Sequence, residues 1–397
     1  MQHESPMTGF PPEPSGQVTL ANWRTPPFNR WAFQHVREIV PSAEIANDPD
    51  RVWTLPHAPR DLSGLRIADG DLAAFLEGTD TDAMVVIHRG RIVFEHYAHG
   101  MTPGTPHILM SVSKSMLGLV AAMLAARGTL DIEAPVTAYV PELAGTAYRD
   151  ARVAHLLDMR AGILFDEDYL AASGPIVQYR KAQGWNPLDP GEAPSDLRSF
   201  FSTLVGSDGP HRGRFHYVSP NTDLLGWVIE RATGRRYADV VSQSLWQGIG
   251  AERPAYITVD RFGAPRCAGG FCATARDLAR VGWLLAQDGR RDGHVVVAKA
   301  WIDDVIGNGD EQAWASGDFA HYFPGETMHY RDKWYVLKGD GGPLLFGLGV
   351  NGQNLFVDRA NAIAIAKFSS QAAAMDSGRI ALTMRGISAL RSHLAGL

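Results

Sequence analysis

The stretch Ser111-Val112-Ser113-Lys114, followed by an apolar run over residues 116–126, decides the fold of this 397-residue chain. The run predicts a helix that begins near Ser111 and ends before Gly128. Its apolar residues cover almost the whole circumference, which indicates a buried central helix rather than a surface one. Because positions i and i+3 lie on one helical face, we expect the Ser111 hydroxyl and the Lys114 amine to meet.

This pair has the properties that a serine nucleophile and its base require. A serine hydroxyl is a weak nucleophile until a base removes its proton. Burial of Lys114 would lower the pKa of its ammonium, so that the neutral amine can serve as the base. The spacing alone is common, however, and an N-capping serine followed by a solvent-directed lysine gives the same pattern. Other segments must support the catalytic interpretation.

Two later segments supply that support. Tyr217 stands on a predicted loop just before an apolar helix, from which its phenolate could share or relay the Ser111 proton. Gly347-Leu348-Gly349-Val350-Asn351-Gly352-Gln353 leads into a predicted strand. Glycines in an edge strand permit the close backbone approach that an oxyanion hole requires.

In this order, the three segments resemble the class C β-lactamase and penicillin-binding-protein superfamily. Shorter landmarks follow the same run, and they are Leu130-Asp131-Ile132, Pro141-Glu142-Leu143, Ala268-Gly269-Gly270 and residues 274–279. Within the superfamily, the chain is similar to the 6-aminohexanoate-dimer hydrolases, which cleave nylon oligomers. That similarity includes Asn29-Arg30-Trp31-Ala32-Phe33, Val40-Pro41-Ser42-Ala43, Glu167-Asp168-Tyr169, Gly184-Trp185 and residues 349–355.

The resemblance implies a site as well as a fold. Ser111 would be the acylated nucleophile, Lys114 its base and Tyr217 the third catalytic group. The backbone amides of Ser111 and Val350 would form the oxyanion hole. Tyr169, on a mobile loop, would hydrogen-bond the substrate or leaving group. The other expected substrate-binding residues are Arg180, Trp185, Gly349 and Asn351.

Three departures from the family pattern bear on the substrate. The superfamily often has Lys or His where Gly347 stands, so the usual clamp for a substrate carboxylate is missing. Ser219 replaces the Asn of the tyrosine motif. Both changes argue against a β-lactamase and for esters or unactivated linear amides. The most active nylon-oligomer hydrolases carry an acidic residue that can hold the ammonium end of their substrate, whereas this chain has Arg180 and Lys181 in that loop. If Arg180 faces the cleft, the zwitterionic dimer should be a poor substrate.

The strand signals lie near both chain ends. Residues 82–97 predict one hairpin, and residues 353–358 with 362–368 predict another. The fold class expected from this arrangement and from the resemblance is α+β and β-lactamase-like, with an antiparallel sheet that is flanked by helices and built from both chain ends. We expect an extended N-terminal segment over 1–27, an α/β lobe from 28–130 and 260–397, and an inserted, mainly helical lobe over 131–259. The site would lie between the lobes.

The composition limits the classes of molecule that the chain is expected to bind. The net charge is -6, from 43 acidic and 37 basic side chains, and no basic surplus favours nucleic acid. The longest apolar run is shorter than the ~20 residues of a membrane span. No secretory signal is visible, so a cytoplasmic protein is expected. We expect a small-molecule ester or amide substrate, no metal and no cofactor. A homodimer is left open.

Other interpretations of the motifs are weaker. Gly347-x-Gly349-x-x-Gly352 matches a dinucleotide fingerprint but precedes a predicted strand instead of a helix. His96 and His99 beside Glu95 lack the spacing of a helical zinc motif. A β-lactamase, a D-amino-acid peptidase and a non-catalytic ligand-binding relative on the same fold remain as alternatives to the esterase or amidase.

Overall fold

A computed structural model describes residues 6–68, 70–339 and 341–396 of the chain. Its main element is a seven-stranded antiparallel sheet in the order β11-β12-β13-β14-β15-β4-β5. The strands of this sheet are β4 Thr81–His88, β5 Arg91–Tyr97, β11 Thr327–Arg331, β12 Trp334–Lys338, β13 Leu344–Gly349, β14 Gln353–Asp358 and β15 Ile363–Ser369. The sheet therefore joins the two chain ends, which confirms the predicted β-lactamase-like fold class.

A second sheet of four short strands has the order β1-β7-β8-β6. Its strands are β1 Ser42–Ile45, β6 His107–Ile108, β7 Ala255–Thr258 and β8 Phe271–Ala273, and the remaining strands form the two-residue pairs β2 Arg66–Ile67 with β3 Gly70–Asp71 and β9 Arg290–Arg291 with β10 His294–Val295. Strand β7 comes from the range expected to be mainly helical, so this sheet draws on both predicted lobes. The lobe boundaries stay a prediction.

Thirteen α-helices lie in the described part of the chain. They are α1 Phe28–Ala32, α2 Leu72–Gly78, α3 Val112–Ala126, α4 Val136–Tyr139, α5 Val153–Leu157, α6 Pro175–Ala182, α7 Leu197–Phe201, α8 Ser219–Thr233, α9 Tyr237–Val241, α10 Ala275–Ala286, α11 Lys299–Gly307, α12 Glu311–Ala315 and α13 Ser377–Ala395. No helix among these residues is both long and apolar enough to cross a membrane.

Side-chain alternation along the sheet separates two apolar cores. Val85 and Ile87 of β4 pack in the core that contains α3 and α10. Met84 and Val86, on the opposite face, pack in the core that contains α13. Because both faces are covered, every residue of β4 is buried and the strand reads as a continuous apolar run. The sheet is therefore covered on both sides, and it packs against α3.

The predicted helices and hairpins agree closely with the structure where local signals are strong. Helix α3 ends before Gly128, and α8 ends at Gly234, whose φ of 66 is the left-handed conformation expected at a helix end. The β4–β5 hairpin turns at Arg89 and Gly90, both with positive φ, as a two-residue turn requires. The segment before β1 forms two short pieces, α1 and a separate 3-10 turn, Val36–Glu38.

Candidate active site

Ser111 is the N-cap of the buried helix α3, in the place that the sequence predicted. Its backbone has a φ of -69, and its side chain makes no capping hydrogen bond, so the hydroxyl is available to other groups. The residue lines a cavity of about 280 Å³. The first turn of α3 therefore presents a serine hydroxyl to this cavity.

Lys114 lies one helical turn further and contacts that hydroxyl directly. Its Nζ is 2.9 Å from Ser111 Oγ and donates a hydrogen bond of 2.7 Å to the Ala268 carbonyl. The side chain is only 1% exposed. Burial lowers the pKa of Lys114 to about 7, against the opposing effect of Glu167, while Arg266 lowers it further. A substantial fraction of this amine is therefore neutral near pH 7.

Tyr217 lies against the Lys114 side chain. The Lys114 ammonium nitrogen lies 4.8 Å from the centroid of the Tyr217 ring. Burial, aided by the charge of Glu167, raises the pKa of Tyr217 well above its ordinary value, although the nearby Ser111 hydroxyl lowers it. Tyr217 therefore carries its proton at neutral pH in the free protein, which differs from the phenolate considered from the sequence.

The end of β13 lies against the start of α3. A Cβ on Gly349 would lie 2.7 Å from Leu109 O and 3.1 Å from Ser111 N, and a Cβ on Gly347 would lie 2.9 Å from Ser115 Oγ. Glycine at both positions lets the strand backbone approach the helix. Strand β12 pairs with residues 344–346 only, so Gly347–Gly349 forms a local edge within an interior strand. Val350, the next residue, lines the cavity with Ser111.

A hydrogen-bonded loop forms one wall of the cavity. The Glu167 carboxylate accepts hydrogen bonds from Ser219 N at 2.6 Å, from Ser219 Oγ and from the Tyr169 hydroxyl at 3.2 Å. Ser219, which departs from the family's Asn, thus holds Glu167, and Glu167 orients Tyr169. The sequence motif contains Glu167, but no role was predicted for it. Its position two residues before Tyr169 was the signal that could have indicated a contact between them.

The other predicted substrate-binding residues divide into two groups. Arg180, Trp185 and Asn351 line the cavity, although the Asn351 side chain already donates to the Gln371 carbonyl at 2.8 Å. Gly349 acts instead at the contact between strand and helix. Lys181 turns away from the cavity and pairs with Asp189 and Glu192, so only Arg180 of the two cations reaches the site.

Among the lining residues without a counterpart in the sequence prediction are Arg24, Gln183 and Arg266. Arg266 makes a buried ion pair with Asp223 at 2.6 Å. The other Asp223 oxygen accepts from Ala268 N at 2.7 Å, and thereby fixes the peptide whose carbonyl holds Lys114. These contacts join residues far apart in sequence, so spacing could not reveal them.

No group of three or more His, Cys, Asp or Glu side chains in residues 6–68, 70–339 and 341–396 could hold a metal ion. The chemistry available at this site is that of a half-buried serine with a buried amine and a buried phenol. Such an arrangement can transfer an acyl group through a covalent intermediate.

Comparisons with known proteins agree with this geometry. The family model described as beta-lactamase matches residues 69–385. The 6-aminohexanoate-dimer hydrolase of Paenarthrobacter ureafaciens is 37% identical over 361 residues, which cover 91% of this chain and 90% of that protein. Esterase EstB of Burkholderia gladioli is 29% identical over 163 residues, 40% of each chain.

A solved structure from Bacillus anthracis, provisionally described as a 6-aminohexanoate-dimer hydrolase, superposes with a TM-score of 0.87. It is 28% identical, and the match covers 97% of this chain and 99% of the other. With the family model spanning most of the chain and a relative 37% identical over nine-tenths of it, this protein belongs to the beta-lactamase family of serine hydrolases.

Proposed function

We propose that this enzyme hydrolyses small carboxylic esters and unactivated linear amides through an acyl-enzyme on Ser111. The observation that carries the proposal is the 2.9 Å contact between Lys114 Nζ and Ser111 Oγ, made by an amine whose pKa lies near 7. A neutral amine at hydrogen-bond distance from a serine hydroxyl is the pairing that general-base activation requires.

In the acylation step, Lys114 accepts the Ser111 proton while Oγ forms a bond to the substrate carbonyl carbon. The carbonyl oxygen becomes an oxyanion, which Ser111 N and Val350 N stabilise by hydrogen bonds. The bond from that carbon to the alcohol or amine then breaks, and the departing group receives a proton. In this proposal Tyr217, which is protonated at neutral pH, gives its proton to the departing group and takes one from Lys114.

Deacylation reverses the roles of the nucleophile and the leaving group. A water molecule loses its proton to Lys114 as its oxygen attacks the acyl carbon, and the Ser111–acyl bond breaks. Ser111 Oγ regains a proton, and the carboxylic acid product leaves. The Ala268 carbonyl, which accepts from Lys114 Nζ, keeps the amine in place through both steps.

The substrate class follows from the lining of the cavity and from the relatives. Gly347 has no side chain to hold a carboxylate at the usual β-lactam position, and a Cβ there would meet Ser115. The similar proteins include one named as a 6-aminohexanoate-dimer hydrolase and one named as an esterase. Esters and linear amides are therefore favoured over β-lactams. A cytoplasmic location and a homodimer stay predictions.

A hydrolysis panel tests the proposal. Purified protein is assayed with p-nitrophenyl esters, linear aminohexanoate oligomers and the β-lactam nitrocefin. We expect ester hydrolysis, with nitrocefin the poorest substrate, and a loss of kcat of about 10³-fold or more in Ser111→Ala. Ser113→Ala, two residues further along the chain in α3, is the matched control, since Ser113 Oγ accepts a hydrogen bond from Phe271 N of β8. Near wild-type turnover by Ser111→Ala would refute the proposal.

A further inference from the structure

The cavity beside Ser111 is rich in positive charge. Three arginines line it, Arg24, Arg180 and Arg266, together with one carboxylate, Glu167. Arg266 is neutralised by its buried pair with Asp223. Glu167 is held by Ser219 and Tyr169. The Glu167 carboxylate offsets one of the two remaining charges, so Arg24 and Arg180 leave a net positive charge that a ligand would meet.

Neither of these two arginines has an acidic side chain as a hydrogen-bond partner. Arg24 donates to the Asn186 side-chain oxygen, and Arg180 donates to the Tyr169 carbonyl at 3.1 Å. Burial, with repulsion from Arg180 and Arg266, lowers the pKa of Arg24 to about 9. Burial also lowers the pKa of Arg180, although Glu167 and Asp168 act against it. The cations repel one another in a space that lacks a sufficient counter-charge.

Unpartnered polar atoms lie beside the same cations. Gln183 is 1% exposed, and neither its side-chain nitrogen nor its oxygen has a hydrogen-bond partner among the described residues. Arg266, 7% exposed, has an unpartnered Nε, and so does Arg24. Buried polar groups are usually satisfied, and leaving one unpaired costs about 1–3 kcal/mol. Several such groups around one cavity indicate a missing polar ligand.

The arrangement is built by three separate parts of the chain. Arg180 lies in α6, and Gln183 follows at its C-terminal end, three residues later. Arg24 comes from the N-terminal segment, where the neighbouring Trp23 donates from Nε1 to the Trp185 carbonyl at 3.1 Å. Arg24 and Arg266 lie 5.9 and 5.1 Å from the Trp185 ring. Trp185 thus holds two of the cations beside the cavity.

We propose that Arg24 and Arg180, supported by Gln183 and Arg266, form a subsite for a carboxylate, and that the enzyme prefers esters or amides bearing one. The inference rests on the proposed function and adds the charge of the substrate to it. A guanidinium binds a carboxylate through two parallel hydrogen bonds, and the bound anion would offset the repulsion between the arginines. The carboxylate belongs to the acyl part or to the leaving group, and the experiment separates the two.

Two matched pairs of esters provide the test. Mono-p-nitrophenyl adipate is compared with p-nitrophenyl hexanoate, which places the charge on the acyl part. The butyrate ester of 4-hydroxyphenylacetate is compared with that of its methyl ester, which places the charge on the leaving group. For each pair, the ratio of kcat/KM for the anionic ester to that for the neutral ester is measured in wild type, Arg24→Gln and Arg180→Gln. Arg127→Gln, an exposed arginine at the far end of α3, is the control.

We expect the ratio to fall at least tenfold in both cavity variants for one of the two pairs, and to stay unchanged in Arg127→Gln. The affected pair identifies the part of the substrate that the arginines bind. Ratios within twofold of wild type for both pairs, with neutral esters still hydrolysed, would overturn the subsite alone. Failure of the wild-type protein to hydrolyse any of the four esters would instead refute the proposed function.

Discussion

At the scale of single residues, the proposed activity depends on a lysine that is neutral at the working pH and still basic enough to accept the serine proton. Burial lowers the pKa of Lys114 to about 7, more than the nearby negative charges of Glu167 and Asp223 raise it. Such a pKa is close to the optimum for a general base at neutral pH. The Ser111 hydroxyl can then be activated without a histidine.

The pH dependence of the free enzyme tests this assignment. Because the neutral amine is the active form, kcat/KM for a neutral ester should rise with pH and level off above about 7, the pKa of Lys114. Initial rates at low substrate concentration between about pH 5 and 9 would define the rising part of this pH profile. A flat profile would exclude Lys114 as the base.

Tyr169 is expected to act on the leaving group. Its hydroxyl lies at the cavity wall, 3.2 Å from Glu167, and an amine leaves less readily than a phenol. Tyr169→Phe should therefore lower kcat/KM for an anilide about tenfold more than for the phenyl ester of the same acid. Equal losses on the two substrates would show that the hydroxyl has no role in leaving-group departure.

Residue spacing explains which parts of the site the sequence could predict. Ser111 and Lys114 are three positions apart on one helix, and Tyr217 directly precedes another, so local patterns were sufficient. Gln183 follows Arg180 by three residues, so helical spacing could have placed it, whereas Arg24 and Arg266 come from distant segments that pack beside Trp185. Long-range packing of that kind leaves no periodic signal in a single sequence.

At the scale of elements, the contact between β13 and α3 sets how close Val350 lies to Ser111, the two residues whose backbone amides we propose as the oxyanion hole. Gly347 and Gly349 allow the strand to approach the helix so closely that an added Cβ would lie within 3 Å of helix or loop atoms. Strands β11 and β12 were not predicted, because each is short and buries residues on both faces of the sheet. Their sequences therefore lack the regular alternation of apolar and polar residues that marks a half-exposed strand. The two hairpins were predicted because each is formed by neighbouring segments.

Gly349→Ala tests the strand contact. The added methyl would meet Leu109 O at 2.7 Å and push Val350 away from Ser111. We expect kcat to fall at least tenfold, since a displaced oxyanion donor stabilises the transition state less, with a smaller effect on KM. Gly339→Ala is the matched control, because a Cβ there meets nothing within 4 Å. Equal kinetics in the two variants would contradict this view of the contact.

At the scale of the whole molecule, Asp82 joins parts of the chain that must assemble around the site. This fully buried carboxylate in β4 accepts from His99 at 2.8 Å and Ser370 at 3.1 Å and lies 3.4 Å from His107. Burial by itself would raise the pKa of Asp82, but its contacts with His107 and His99 bring it down to about 2. The contacts connect the main sheet with β6 of the second sheet.

A carboxylate whose pKa is lower in the folded protein than in the unfolded chain stabilises the fold at pH values above its unfolded-state pKa. This stabilisation is lost as the pH falls. The shift from 3.8 to about 2 corresponds to about 2 kcal/mol, lost between about pH 4 and 2. Asp82→Asn should therefore lower Tm at pH 7 by a few degrees and weaken the acid dependence of stability. Urea unfolding at several pH values measures both effects. Asp150→Asn, at an exposed site, should change neither, and an unchanged acid limb in Asp82→Asn would contradict the assignment.

The most direct test of the central claim is to identify the acylated atom. Protein quenched in acid during turnover of p-nitrophenyl butyrate is digested, and the peptides are mapped by mass spectrometry. We predict one butyryl group on Ser111 in the wild-type protein and none in Ser111→Ala. A butyryl group on another residue of the active enzyme, or turnover by Ser111→Ala at the wild-type rate, would contradict the assignment of Ser111 as the nucleophile.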